Sequence, residues 1–304
     1  MDPLLLVLFV LSVQLLVIVG AAAIAETLGR VKDPRFRLTY WRGVALACLA
    51  LPLSAFAGPE TLGSGVTFLV TSVAGAGSAP VWAVPPATGT VVWWGLCAGA
   101  LARLGWLCAG GVGLRQLRRR SRRAVLTPGL EEIRADIAPR AELRLSCEVA
   151  QPAGFGLRQP VVLLPEAFFA LDPEAQHAVA CHELLHVARR DWPWILVEEM
   201  ARALFWFHPA VWLLVNRIQE SREQLVDRLV VARIPSKRAY MTALLAFADG
   251  GRVASAATAL LRRRHLRSRL RQLAKESVMS QRRLVWTAIL LVCVTGGSLA
   301  SAAA

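Results

Sequence analysis

His182-Glu183-Leu184-Leu185-His186 sets two imidazoles four residues apart, with a carboxylate beside the first. On an α-helix, positions i and i+4 share a face, so both rings reach one metal ion. Glu183 is turned about 100° from His182, which aims its carboxylate at a water beside the metal rather than at the metal. Zinc is held at such sites through imidazole nitrogen and lowers the pKa of water to about 7, within reach of a neighbouring carboxylate base. The same pentapeptide also arises by chance on solvated helices, so its flanks decide. Val179, Ala180, Leu184, Leu185, Val187 and Ala188 are uncharged, and polar side chains without partners are expensive in an apolar helix. Asp172-Pro173-Glu174 opens the helix with a cap, a first-turn proline and an acid at the positive end of the dipole. Arg189 and Arg190 close it with the opposite sign.

Two ligands are too few for a zinc enzyme, which usually has three and a water. Downstream, Glu223 and Asp227 again stand four apart. As a plain surface pair they would repel by a few tenths of a kcal/mol. With separate tasks they do not conflict: Glu223 binds the metal, and Asp227 accepts the spare N–H of a ligand histidine. Glu220 is the rival ligand, without a carboxylate four residues on, and Glu198 and Glu199 better suit a polar stripe on their own helix. Tyr240 stands on a later helix, where packing and stabilisation of an oxyanion are its two readings. His208, before Pro209, reads as a cap or packing residue, because a fourth protein ligand would close the site.

These stretches resemble the integral-membrane zinc metallopeptidases of the BlaR/MecR antirepressor type, a gluzincin-like family. The matching residues are the run Gly156 to Pro165, His182 to His186 with Arg189-Arg190-Asp191, Phe205-Trp206-Phe207-His208-Pro209 with Trp212, and Arg222-Glu223 with Asp227. Leu225-Val226 stands where the family commonly has Ala-Cys, a departure in neighbours and not in ligands. The likeness is strong over about residues 120 to 250 and architectural only in the apolar flanks. It implies one Zn2+ per chain and regulated proteolysis of a protein or peptide substrate, such as a transcriptional repressor or the chain's own linker. It also implies a membrane sensor partner. Sensor members carry a penicillin-binding domain past the last span. These 304 residues contain neither Ser-x-x-Lys nor Lys-Thr-Gly, so direct β-lactam sensing is not expected of them.

The apolar flanks are legible without any family. Net charge is +14, yet 55% of residues are hydrophobic, gathered in blocks. Spans are expected at about 4–25, 41–58, 91–114 and 282–304, the second counting Tyr40 and Trp41 as an interfacial belt. The first lacks a basic leader and exceeds a signal core in length, so it reads as a retained span. Val66–Ala74 is too short to cross. Arg103, within the third span, is expected to face the helix bundle. Arg30, Lys32, Arg35 and Arg37 lie between the first two spans with Arg42 adjacent, and no Lys or Arg lies between residues 58 and 90. Six arginines from Arg115 to Arg123 follow the third span, and Arg262 to Arg271 with Arg282-Arg283 precede the fourth. Four spans put every basic loop on one side, as the positive-inside rule requires. The N-terminus is then outside and the peptidase domain cytoplasmic, at the inner membrane. The basic runs abut spans and lack interleaved aromatics, so anionic lipid is the expected partner and direct nucleic-acid binding is not.

Between the third span and the His-Glu helix, Leu130, Ile133 and Ile137 predict a short amphipathic helix. Glu142 to Val149 alternates as a half-buried strand, Gly154-Phe155-Gly156 turns the chain, and Val161 to Leu164 is a buried strand. The edge of such a sheet can pair with an extended peptide or merely cover the helix. The expected fold is mainly α, of the α+β kind. It has three transmembrane helices in 1–114, a cytoplasmic gluzincin-like zinc peptidase domain with a small β-sheet in 115–281, and a fourth transmembrane helix in 282–304. The competing functional reading is a non-catalytic signalling scaffold in which zinc only staples two helices.

Overall fold

A computed structural model describes residues 3–54, 88–249 and 269 of the chain. The expected fourth span and Val66–Ala74 lie outside the described residues. The described elements are mostly helices with one small mixed sheet. They form two compact units. One contains residues 3–54, 88–104 and 201–221, and the other residues 105–200, 222–249 and 269. The division is therefore not linear along the chain: residues 201–221 belong with the N-terminal helices.

In the first unit, α1 (Pro3–Leu28) and α3 (Thr88–Arg120, which continues into the second unit) are long and apolar enough to cross a membrane. They are the two such helices among the described residues, so four spans are not established. α2 (Pro34–Ser54) starts earlier than the expected second span, because Pro34 opens a helix that takes in the basic residues Arg35, Arg37 and Arg42. With those charges, α2 is not among the helices long and apolar enough to cross. Arg37 binds the buried Glu26 at 2.5 Å. Arg103 lies with its guanidinium 5.2 Å from the centre of the Trp212 ring, a cation–π contact. His208 precedes the helix that begins at Pro209, and its Nε2 lies 3.0 Å from the carbonyl of Ser12.

The second unit carries the sheet, β1 (Arg122–Arg123), β2 (Glu142–Leu145), β3 (Ala153–Phe155) and β4 (Val161–Leu164), in the order β1-β2-β4-β3. β2 and β4 are parallel, and the two outer pairs are antiparallel. β4 is buried along its whole length because it is covered on both faces. Val162 and Leu164 pack with Leu143 and the His-Glu helix, and Val161 and Leu163 pack with Phe155, Leu114 and Trp192. That explains an unbroken apolar run where a one-sided strand would alternate. β2 stops at Leu145, short of the expected Val149.

Gly154-Phe155, read from sequence as a turn, lies instead in the edge strand β3, and the turn follows it. Gly156 sits at φ +110°, and a Cβ there would stand 2.7 Å from the carbonyl oxygen of Gln159, so glycine is required to bring β3 back along β4. The run Arg122-Arg123, read only as a juxtamembrane charge cluster, forms the opposite edge strand. The helices of this unit are α4 (Pro128–Ile137), α5 (Pro173–Ala188), α6 (Asp191–Leu204), α7 (Pro209–Val231) and α8 (Lys237–Asp249). α6 and α7 run partly in the first unit. Ser236 caps α8 by accepting from the Ala239 amide at 3.2 Å.

Candidate metal centre

α5 begins at Pro173 after Asp172 and carries the two histidines inward. The helix buries Ala178, Val179, Ala180, Cys181, Leu184 and Leu185 against the sheet and α8. His182 is held at 6% exposure. The rings cross at 78° with their Nε2 atoms 3.2 Å apart. α7 brings Glu223 to them: Oε2 lies 3.6 Å from His182 Nε2, and Oε1 lies 3.6 Å from His186 Nε2. A tetrahedral ion with ligands at about 2.0–2.1 Å has edges of about 3.3–3.4 Å, so these three separations suit one zinc-sized centre. Glu220, the rival ligand, is not part of this donor group and stands 3.9 Å from both Arg37 and Arg217.

Hydrogen bonding behind the rings fixes which nitrogen faces the centre. His186 Nδ1 lies 2.9 Å from Asp191 Oδ2, and a carboxylate only accepts, so that nitrogen donates. His182 Nδ1 lies 2.8 Å from the Tyr240 hydroxyl, which itself donates to Asp227 Oδ1 at 2.5 Å. The hydroxyl therefore accepts from His182. Both Nε2 atoms then turn lone pairs toward each other and toward a carboxylate. Such a cluster repels itself unless a cation or a proton sits within it, and the donor set therefore fits a bound zinc.

In the metal-free protein a proton is the alternative. Burial opposes charge on His186, but Glu223, Asp191 and Glu183 outweigh it and raise its pKa. Burial would likewise raise the Glu223 carboxyl, yet His186, His182 and Arg269 hold it well below the usual range.

Two residues are placed differently from their expected roles. Asp227 stands 3.5 Å from His182 Nδ1, and the Tyr240 hydroxyl makes the closer contact between them. Tyr240 is fully buried on the Nδ1 side of His182, behind the ring and away from the converging Nε2 atoms. The oxyanion assignment is corrected accordingly: a hydroxyl committed to His182 and Asp227 has no proton left to offer substrate. Burial, then Asp227, push its pKa well above the ordinary phenol value, so it stays neutral. Glu198, expected in a polar stripe, is 3% exposed and paired with the buried Arg222 at 2.7 Å, beside Glu223.

Sequence reasoning also missed Asp191 and Arg269. Asp191 folds back onto His186 because Arg190, at φ 54°, ends α5 in the left-handed conformation and reverses the chain. Arg189 braces it with two contacts of 3.2 and 3.3 Å. An acid just past the helix end, five residues after a ligand histidine, was the available signal. Burial would raise the Asp191 pKa, but the hydrogen bonds from His186 and Arg189 bring it down to about 2 from 3.8. Its stabilising contribution is present above pH 4 and is lost as pH falls through about 2. The shift corresponds to about 2 kcal/mol of the metal-free protein's stability. Asp191→Asn is expected to flatten that part of the pH–stability profile, measured by denaturant unfolding; an unchanged profile would show that the pairing is not made in solution.

Glu183 is half-buried on the next face of α5, beside the edge strand β3. A Cβ at Gly154 would lie 3.8 Å from the Glu183 carboxylate and 3.7 Å from Val187. The open edge of β3 therefore runs past the candidate base.

The family model described as Peptidase_M56, BlaR1 peptidase M56, matches residues 80–273. The chain is similar to the regulatory protein BlaR1 of Bacillus licheniformis, with 26% identity over 89 residues. That match takes in 29% of this chain and 15% of the relative's length.

Proposed function

The chain belongs to the BlaR1 peptidase M56 family, and on that premise we propose that it is a membrane zinc endopeptidase with a cytoplasmic active site, acting in regulated proteolysis. The observation that carries the reading is the convergence of His182 Nε2, His186 Nε2 and Glu223 on one point, with donor atoms all within 4.8 Å of one another. In this reading those three side chains hold one Zn2+. When bound, zinc supplies Lewis acidity that polarises a scissile carbonyl and acidifies water. The remaining work belongs to the protein. Glu183 takes a proton from the attacking water as its oxygen bonds to the carbonyl carbon. It delivers that proton to the amide nitrogen as the C–N bond breaks. The Asp227–Tyr240 pair holds the imidazole of His182, and Asp191 with Arg189 holds that of His186.

The substrate is a protein segment in extended form, laid along the open edge of β3 by main-chain pairing. A transcriptional repressor or the chain's own cytoplasmic linker has this character. Residues 1–114 and 282–304 form the membrane part, with the N-terminus outside, and residues 115–281 face the cytoplasm. A Cβ at Gly154 would already touch the Glu183 carboxylate at 3.8 Å, so a longer side chain there would crowd the candidate base. Gly154→Leu is expected to lower kcat/KM by tenfold or more while zinc content is retained, as read by peptide cleavage and metal analysis. Unchanged kinetics would remove β3 from the substrate path.

The overall test uses the full chain in lipid vesicles. Metal is quantified after purification, and cleavage of candidate repressors and of the chain itself is followed with and without a chelator. One zinc per chain and chelator-sensitive cleavage are expected. Protein that takes up no zinc from buffered solution ends this reading. Zinc uptake without hydrolysis of any candidate favours the stapled scaffold.

A further inference from the structure

Arg269 has no task in the chemistry just described, yet it reaches the centre from well beyond the end of α8 at Asp249. Its side chain is 15% exposed. Nε lies 2.8 Å from Asp227 Oδ2, and Nη2 lies 2.7 Å from Asp227 Oδ1, a bidentate fork. Nη2 is also 3.2 Å from the Tyr240 hydroxyl, and Nη1 is 3.3 Å from Glu223 Oε2. One guanidinium thus touches a candidate ligand and both members of the chain that holds His182.

The two contacts have different consequences. Asp227 is only 3% exposed in its side chain, and a buried carboxylate without a counter-charge is strongly unfavourable. The fork supplies that charge. Arg269 meets Glu223 at Oε2, which also lies 3.6 Å from His182 Nε2, while Oε1, without that contact, lies 3.6 Å from His186 Nε2. A carboxylate held on one oxygen offers the other as a single ligand atom, and a position at the centre stays open for water and substrate. Lysine cannot do both, because an ammonium is one point charge without the planar fork.

We propose that Arg269 is a positioning residue of the metal centre: it presents Glu223 through one oxygen and fixes the Asp227–Tyr240–His182 chain, so the centre is completed only by a residue from beyond α8. The inference rests on His182, His186 and Glu223 being the zinc ligands. Its consequence is that removing the Arg269 guanidinium lowers metal affinity without touching a ligand.

The test compares full-length wild type, Arg269→Gln and Arg269→Lys in detergent or vesicles. It reads zinc affinity by chelator competition, the visible spectrum of the Co2+-substituted protein, and the thermal midpoint of the metal-free protein. Arg269→Gln is expected to bind zinc about 10–100-fold more weakly. It should also show a weaker cobalt band as Glu223 turns to two-oxygen coordination. Arg269→Lys should recover the thermal midpoint but not the wild-type band. Wild-type affinity and spectrum in Arg269→Gln would overturn the proposal.

If that variant fails to fold, Asp227→Asn is compared with Asp227→Asn/Arg269→Gln, where the unpaired acid is gone. A further loss of zinc affinity in the double variant supports the role toward Glu223. No further loss means that Arg269 serves only the charge of Asp227, and the proposal fails. Wild type that binds no zinc sinks the metal reading itself, an outcome distinct from either.

Discussion

Glu183→Gln is expected to keep its zinc and to lose cleavage of a protein substrate by about 10²–10⁴-fold, the range for removing a positioned general acid–base group. The two properties separate because Glu183 lies outside the His182–His186–Glu223 donor set. Its side chain is half-buried beside β3, and glutamine has the same shape, so neither the α5 core nor the edge strand is disturbed. What changes is proton transfer: an amide cannot take a proton from water near neutral pH or return one to a leaving nitrogen. Metal content and turnover are measured on one preparation. Cleavage at the wild-type rate would mean that the base lies elsewhere. Loss of zinc alongside activity would mean that Glu183 helps to hold the metal, and its assigned task would be wrong. Burial lowers the His186 pKa in the metal-free protein, and Glu183, after Glu223 and the Asp191 hydrogen bond, is among the influences that raise it. Neutralising Glu183 should therefore ease proton competition with zinc rather than strengthen it.

The parts of the centre that were legible in sequence are those set by local periodicity. Two histidines at i and i+4 on one helix share a face whatever surrounds them, and the spacing of Glu223 and Asp227 on α7 works the same way. The strand Val161–Leu164 was legible because four consecutive apolar residues need cover on two faces. The supporting residues were harder because their partners come from tertiary geometry. Asp191 reaches His186 only through the left-handed turn at Arg190, which its neighbours in sequence do not advertise. Tyr240 stood on the expected helix, but which side of His182 it would approach depends on how α8 packs against α5. Arg269 sits among several arginines whose common explanation, charge on one side of a membrane, covered all of them equally well. Nothing in such a run marks Arg269 as a member that reaches the centre. Gly154-Phe155 was read as part of a turn because two glycines flank Phe155; Gly156, just after β3, has the positive φ of the turn.

Glu223→Ala is expected to lower zinc affinity by more than the ~10–100-fold that follows loss of a supporting partner, because an anionic ligand itself is removed. Hydrolysis falls with it to the level of chelated wild type. Glu220→Ala should leave zinc content at one per chain, since its carboxylate faces Arg37 and Arg217. The comparison is informative because both acids lie on one helix, three residues apart, and both lose the same atoms. Helix α7 should survive either change, held by the buried Ile218, Leu225, Val226 and Val230. The pH dependence of metal uptake adds a second reading. Among the charges acting on His186, Glu223 raises its pKa most, against the opposing effect of burial. Protons therefore compete with zinc in wild type, and affinity falls on acidification through the range where His186 protonates. Glu223→Ala weakens that competition, so its lower affinity should also vary less with pH. Equal zinc affinity in wild type and Glu223→Ala, with loss in Glu220→Ala instead, would move the third ligand one turn back along α7. It would also leave Arg269 bound to an acid with no part in the centre.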